Sequence, residues 1–240
     1  MVEGDSTGAR AWVPLESNPD VFNAFMRELG LEGDAPFFVD VFSLTDDWDS
    51  VPRPVQAVVA CYPVTKDGAG TETSADPAKG THGLLLCAQT VNNACGTMAL
   101  LHALLNAPDR DRFRVRPGSS LERFRAKVDA PDLTPQQRAA VLEADASLAE
   151  AHARSAATGQ SSVPSADADV DMHFVTLTLD RSGTQLYELD GRKPVPICHG
   201  ASSRATLLPD ACARIREVIL PRAHDDLRLT VMALCGVEGA

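Results

Sequence analysis

The chain has 240 residues, 44% of them hydrophobic and 23% charged, the composition of a globular protein long enough to bury one sizeable core. Its formal net charge of −11 and pI near 4.9 argue against nucleic acid or an anionic membrane as the main partner, since both need basic surface. No apolar run reaches the roughly 18 residues that span a bilayer, and the opening Met-Val-Glu-Gly-Asp has neither the basic segment nor the apolar core of a secretory leader.

The expectation is therefore one domain over residues 1–240 with a cytoplasmic address, a nuclear one also being open. Six cysteines in such a compartment read as thiols. Cys61, Cys87, Cys198, Cys212 and Cys235 show no paired metal-type spacing, and Cys61, Cys87 and Cys235 lie in apolar runs that suit buried, inert sulfur.

In chain order, residues 18–30 (Asn-Pro-Asp-Val-Phe-Asn-Ala-Phe-Met-Arg-Glu-Leu-Gly) predict an amphipathic helix capped by Asn18 and closed by Gly30. Residues 37–42 (Phe-Phe-Val-Asp-Val-Phe) predict a strand. Residues 55–62 (Val-Gln-Ala-Val-Val-Ala-Cys-Tyr) predict a second one, buried on both faces because it lacks clean alternation. The polar, glycine-rich stretch 66–80 reads as a surface loop.

Residues 89–104 (Gln-Thr-Val-Asn-Asn-Ala-Cys-Gly-Thr-Met-Ala-Leu-Leu-His-Ala-Leu) are the most informative. Asn92-Asn93 offers N-cap chemistry and residues 98–105 are apolar almost all round, so Cys95 should open a helix buried in the core. Its sulfur would face the positive end of the helix dipole, which favours the thiolate that attacks carbonyl carbon. Gln89, six residues earlier, could donate its side-chain amide to an oxyanion, with the Cys95 N–H as second donor.

Thr134-Pro-Gln-Gln137 signals a helix start, with a capping-box glutamine and proline at the first helical position, leading into a helix through about Ala153. Residues 155–169 are small, polar and unpatterned, the composition of a flexible loop inside a domain. Residues 171–191 then alternate with period two, turn at Arg181-Ser-Gly and alternate again, which predicts a β-hairpin. A two-residue loop at Arg181-Ser182 would set His173 directly opposite Asp190. One at Ser182-Gly183 would make them diagonal neighbours on the same face, and a three-residue loop would put them on opposite faces. An imidazole held by a carboxylate on the next strand is the base that a thiol nucleophile needs.

The other histidines compete poorly. His102 lies seven residues after Cys95, about 10 Å along the helix. His82, His152, His199 and His224 fall in loops or a polar helix with no carboxylate placed by pattern, and His152 reads as part of a solvated helical face. Taken singly, the chosen residues also have plainer readings: Cys95 as a structural thiol, His173 as a satisfied core residue, Asp190 before Gly191 as a turn former.

Together these residues resemble the ubiquitin C-terminal hydrolase family of cysteine peptidases, specifically its short, single-domain L-type isozymes. The matching stretches are Gln89 with Asn93-Ala-Cys-Gly-Thr97, His173-Phe174, and Leu186-Tyr-Glu-Leu-Asp-Gly-Arg-Lys-Pro194. Trp12-Val-Pro-Leu-Glu-Ser-Asn-Pro19 and Val51-Pro-Arg-Pro-Val55 match too. The likeness runs from about Trp12 to Leu234, with departures in 66–80 and the last few residues.

The resemblance implies Cys95 as nucleophile, His173 as general base and then acid, Asp190 as its orienter and Gln89 as oxyanion stabiliser, with no metal and no organic cofactor. The implied fold is α/β and papain-like, a central antiparallel β-sheet surrounded by α-helices, with a knotted backbone. The implied reaction is hydrolysis of amide or thioester bonds after the C-terminal glycine of ubiquitin, through an acyl-enzyme. A close ubiquitin-like modifier stays open as a second substrate. Residues 155–169 are implied to cross the active-site cleft and to favour small or unstructured leaving groups. Two rivals remain, a cysteine peptidase of other specificity and a catalytically idle ubiquitin-binding protein.

Overall fold

Asn18 and Gly30 delimit the first helix, α1 (Pro19–Leu29), as the sequence predicts. The Asn18 side chain accepts the Asp20 N–H at 2.9 Å, and Gly30 at φ 109° turns its own N–H back to the Arg27 carbonyl. A Cβ at Gly30 would lie 2.2 Å from the Cβ of Ser119, so packing demands glycine there as well as torsion. The computed structural model of the chain describes residues 11–34, 36–64, 83–160, 171–223 and 228–236.

The described strands are β1 (Phe37–Asp40), β2 (Val55–Pro63), β3 (Met172–Leu179), β4 (Gln185–Leu189), β5 (Ile197–Ala201) and β6 (Thr230–Cys235). They form one six-stranded sheet in the order β1-β6-β2-β3-β4-β5, every pair antiparallel. All nine residues of β2 are buried, because both faces of the sheet are covered. Ala57, Val59 and Cys61 join a core shared with α1, α2 (Cys95–Asn106), α3 (Ser120–Val128), α4 (Pro135–Glu143) and α5 (Ala146–Ala156). Val58, Ala60 and Tyr62 join a second core with α6 (Leu207–Arg214).

Three expectations change. The helix predicted from Thr134 through about Ala153 is two helices: Thr134 and Gln137 form the capping box of α4, but Asp145 then accepts the Leu148 N–H and starts α5 afresh. Asp145 is a strong capping residue and outcompetes helix continuation. Helix α5 runs past Ser155, whose hydroxyl donates to the Ala151 carbonyl, so the loop expected from 155 begins only after Ala156. The 66–80 loop and most of the 155–169 segment lie outside the described residues. The first strand stops at Asp40, leaving Phe42 90% exposed.

The predicted hairpin is present as β3 and β4, with Thr176 facing Leu189 and Leu179 facing Leu186. This register is two residues away from the one that sets His173 opposite Asp190. Continued along the ladder, it makes them diagonal neighbours on one face, the second of the alternatives. The Asp180 carboxylate decides it: it accepts the N–H groups of Thr184 and Gln185, which stabilises a turn over residues 181–184 with Gly183 at φ 72°. Among the described residues no helix is long and apolar enough to cross a membrane.

Candidate active site

Helix α2 opens at Cys95 and every one of its residues is buried. The expected capping by Asn92-Asn93 does not occur. Ala94 holds the N-cap position and has no side-chain acceptor, while Asn93 at φ 61° bends the chain into the helix, a left-handed torsion that Asn tolerates better than most residues. The N-terminal amides beside Cys95 are thus not claimed by an N-cap side chain, which leaves the positive end of the helix directed at the sulfur.

The few polar side chains of this otherwise apolar helix hold neighbouring segments in place. His102 Nε2 accepts the Cys87 N–H at 3.0 Å, and Asn106 both accepts the Leu85 N–H at 2.7 Å and donates to the Leu85 carbonyl at 2.9 Å. Burial pulls the His102 pKa down to about 4, keeping the ring neutral and able to accept. These bonds run 85–87 alongside α2 and deliver Gln89. Its N–H donates to the Gly191 carbonyl at 2.8 Å, so Gln89 lies against the residue that follows Asp190. The Gln89 amide donates to the Val91 carbonyl at 3.3 Å, and its buried Oε1 has no hydrogen-bond partner among the described residues.

His173 and Asp190 meet as expected: Nε2 donates to Oδ1 at 2.8 Å, with both side chains nearly sealed from solvent. The remaining ring nitrogen, Nδ1, is buried with no hydrogen-bond partner among the described residues, and the Cys95 thiol lies close enough to influence the ring. Burial raises the Cys95 pKa, but the neighbouring His173 imidazole with its positive charge, the Phe174 N–H and Arg192 outweigh it, and the thiol falls below its ordinary value. Burial pulls His173 down, while its hydrogen bond to Asp190 and the neighbouring Cys95 lift it above its usual range. Asp190 is pushed up by burial and held below the ordinary carboxylate value by His173 and the Arg192 N–H. The arrangement can hold a thiolate–imidazolium pair. Cys87 and Cys235 behave oppositely, their thiols pushed up to about 12 by burial.

Two histidines sit elsewhere than expected. His152 is buried rather than solvated: its Nε2 donates to the Val13 carbonyl at 2.7 Å, and its Nδ1 accepts the Thr97 hydroxyl at 2.7 Å. Trp12 packs on the ring with centroids 4.4 Å apart, so this histidine ties the N-terminal segment to the helix of Cys95. His199 does have a carboxylate partner, Glu188 at 2.9 Å across from β5. His82 and His224 lie outside the described residues. Sequence reasoning also missed Tyr62, which faces His173 across β2 and β3, and Arg222, which grips Glu188. Its only signal was a glutamate inside the apolar alternation of residues 186–189. Among the described residues no three His, Cys, Asp or Glu side chains gather in a metal-binding arrangement.

Residues 12–220 match the model of the family described as ubiquitin carboxyl-terminal hydrolase, family 1. Ubiquitin carboxyl-terminal hydrolase 3 of Arabidopsis thaliana is 40% identical over 220 residues, covering 90% of each chain. The Homo sapiens ubiquitin carboxyl-terminal hydrolase isozyme L1 is 34% identical over 227 residues, 92% of this chain and 97% of that one. The fold is similar to the catalytic domain of Trichinella spiralis UCH37, solved bound to ubiquitin vinyl methyl ester, with a TM-score of 0.73 at 23% identity over 95% of this chain and 96% of the other. With a family match across most of its length and relatives above the level at which family is in question, the chain belongs to the ubiquitin carboxyl-terminal hydrolases of family 1, which are cysteine-type hydrolases.

Proposed function

We propose that the protein is a deubiquitinating thiol hydrolase in which Cys95 attacks the carbonyl carbon of the C-terminal glycine of ubiquitin, joined to its adduct by an amide or thioester bond. The observation that carries this reading is the buried His173–Asp190 pair, 2.8 Å apart, acting on a thiol that opens a helix. Cys95 attacks as the thiolate and the carbonyl oxygen gains negative charge. The Cys95 N–H and the Gln89 amide donate to that oxygen once the amide leaves the Val91 carbonyl. As the C–N or C–S bond breaks, the His173 imidazolium protonates the departing amine or thiol, leaving an acyl-enzyme thioester on Cys95. His173 then takes a proton from water, the resulting hydroxide attacks the thioester, and free ubiquitin leaves with Cys95 restored. Asp190 keeps the His173 ring in orientation and stabilises its positive charge. The relatives bear the name of this activity.

From the family resemblance alone, the proposal extends to a preference for small or unstructured leaving groups. The test is hydrolysis of a ubiquitin C-terminal fluorogenic amide by wild type and Cys95→Ala, alongside the equivalent substrate of a ubiquitin-like modifier and ubiquitin fused to a short peptide or to a folded domain. Turnover lost in Cys95→Ala, and faster release of the peptide than of the folded domain, are expected. Wild-type protein that binds ubiquitin without turnover would mark an idle binder, and equal rates on both fusions would remove the leaving-group preference.

A further inference from the structure

Behind His173 lies a buried polar network that the reaction does not use. Glu188 on β4 is fully buried. It accepts two hydrogen bonds from Arg222, at 2.6 Å and 3.1 Å, and faces His199 Nε2 at 2.9 Å. Arg222 also lies close enough to interact with the Tyr62 hydroxyl, and Tyr62, paired directly with His173 across β2 and β3, sets its ring edge-on to the imidazole with centroids 6.1 Å apart and planes 73° apart. The Tyr62 phenol, pushed up to about 12 by burial and by the Glu188 charge, stays protonated at neutral pH.

A buried ion pair of this kind is a poor stabiliser, because desolvation consumes most of its attraction and an apolar filling of the same volume serves as well. What the network fixes is position. Asp190 holds only one nitrogen of His173, which leaves the ring free to pivot about that hydrogen bond and swing Nδ1 away from Cys95. The Tyr62 ring blocks the pivot only if its far end is itself held. We infer that Tyr62, anchored at its hydroxyl by Arg222 and through it by Glu188, is a positioning residue that keeps the His173 imidazole aligned with Cys95.

The inference rests on His173 being the partner of Cys95, and its test separates the two. The pH dependence of Cys95 alkylation by iodoacetamide, read by mass spectrometry of the Cys95 peptide, reports the thiolate–imidazolium pair without any substrate. Tyr62→Phe retains the ring and removes the hydroxyl, while Arg222→Lys keeps the charge and loses the two-pronged grip. Each is expected to slow Cys95 alkylation at pH 6 and to lower kcat on a ubiquitin fluorogenic amide, both by about tenfold, with KM within about twofold. The double variant should be no worse than the poorer single one, since both cut the same chain of contacts. Tyr62→Phe alone, folded and with wild-type alkylation and kcat, would overturn the inference whatever Arg222→Lys does, as would losses that multiply in the double variant. A wild type inert toward ubiquitin would instead overturn the functional reading, and the alkylation profiles would still decide this one.

Discussion

Asp190 supplies what water cannot supply in a sealed site, a fixed negative charge 2.8 Å from the imidazole. Cys95 is depressed and His173 raised, which moves the two titrations toward the order that an ion pair needs, with apparent values that belong to the pair as a whole. Asp190→Asn keeps an acceptor but removes the charge, so His173 falls back and Cys95 rises with the loss of its cation. The acid limb of kcat/KM should move to higher pH and the alkaline limb to lower pH, with the maximum reduced by on the order of a hundredfold. A profile lowered without either limb moving would show that Asp190 does not tune the pair. His102 and His152 pull stability the other way. Both are held near pKa 4 by burial, against about 6.5 when unfolded. Their neutral forms contribute stability fully above pH 6.5, and that contribution is lost as pH falls toward 4 because the unfolded chain takes up protons that the folded one refuses. On the order of 3 kcal/mol for each group is at stake. Urea midpoints for His152→Gln should fall less steeply than wild type between pH 6.5 and 4, and parallel curves would show that His152 titrates normally.

Where β4 ends, the turn after Leu189 serves two parts of the site at once: Asp190 holds His173, and the Gly191 carbonyl holds the Gln89 N–H. A Cβ at Gly191 would stand 3.0 Å from the Gln89 Cβ, 3.1 Å from its backbone nitrogen and 3.3 Å from the Cys87 carbonyl. Two of those three neighbours are backbone atoms that cannot rotate away. Gly191→Ala should therefore cost about 1–3 kcal/mol of stability. It should also lower kcat by shifting Gln89, and in a double variant with Gln89→Ala that second effect should disappear. A full additional loss of kcat in the double variant would show that the glycine acts only on folding.

The same contrast between local and distant cues governs what the sequence disclosed. Asn18, Gly30, Thr134 and Gln137 form caps within four residues of their partners, so their helices could be read directly. Asp145 is an equally local signal, but it lies within a stretch of helical periodicity that hides the break. The hairpin was legible and its register was not, because the choice turned on which amides the Asp180 carboxylate would accept. Cys95 and His173 stood out through their own neighbours in sequence. The environment of His152 is built by Trp12 and Val13, and Tyr62 meets Arg222 only because of the strand order and the path after α6, so no short-range pattern contained either.

Across the whole molecule, a net charge of −11 would attract a basic binding partner, and the C-terminal tail of ubiquitin is basic. Long-range attraction of that kind speeds encounter and weakens as ions screen it over about 10 Å at 0.1 M salt. The kcat/KM on ubiquitin substrates should fall as sodium chloride is raised from 20 to about 300 mM, with kcat nearly constant. A flat dependence would mean that the charge serves solubility alone. The sheet order has a consequence for how the protein comes into being. Strand β2, uncharged and, Gln56 apart, largely apolar, is flanked by β3 and β6, both of which follow it far along the chain. At typical synthesis speeds of about 5–20 residues per second, β2 leaves the ribosome on the order of ten seconds before the strand that closes its second edge. Throughout that interval it exposes an aggregation-prone edge. Until the last strand arrives, that edge is open to pairing with another chain.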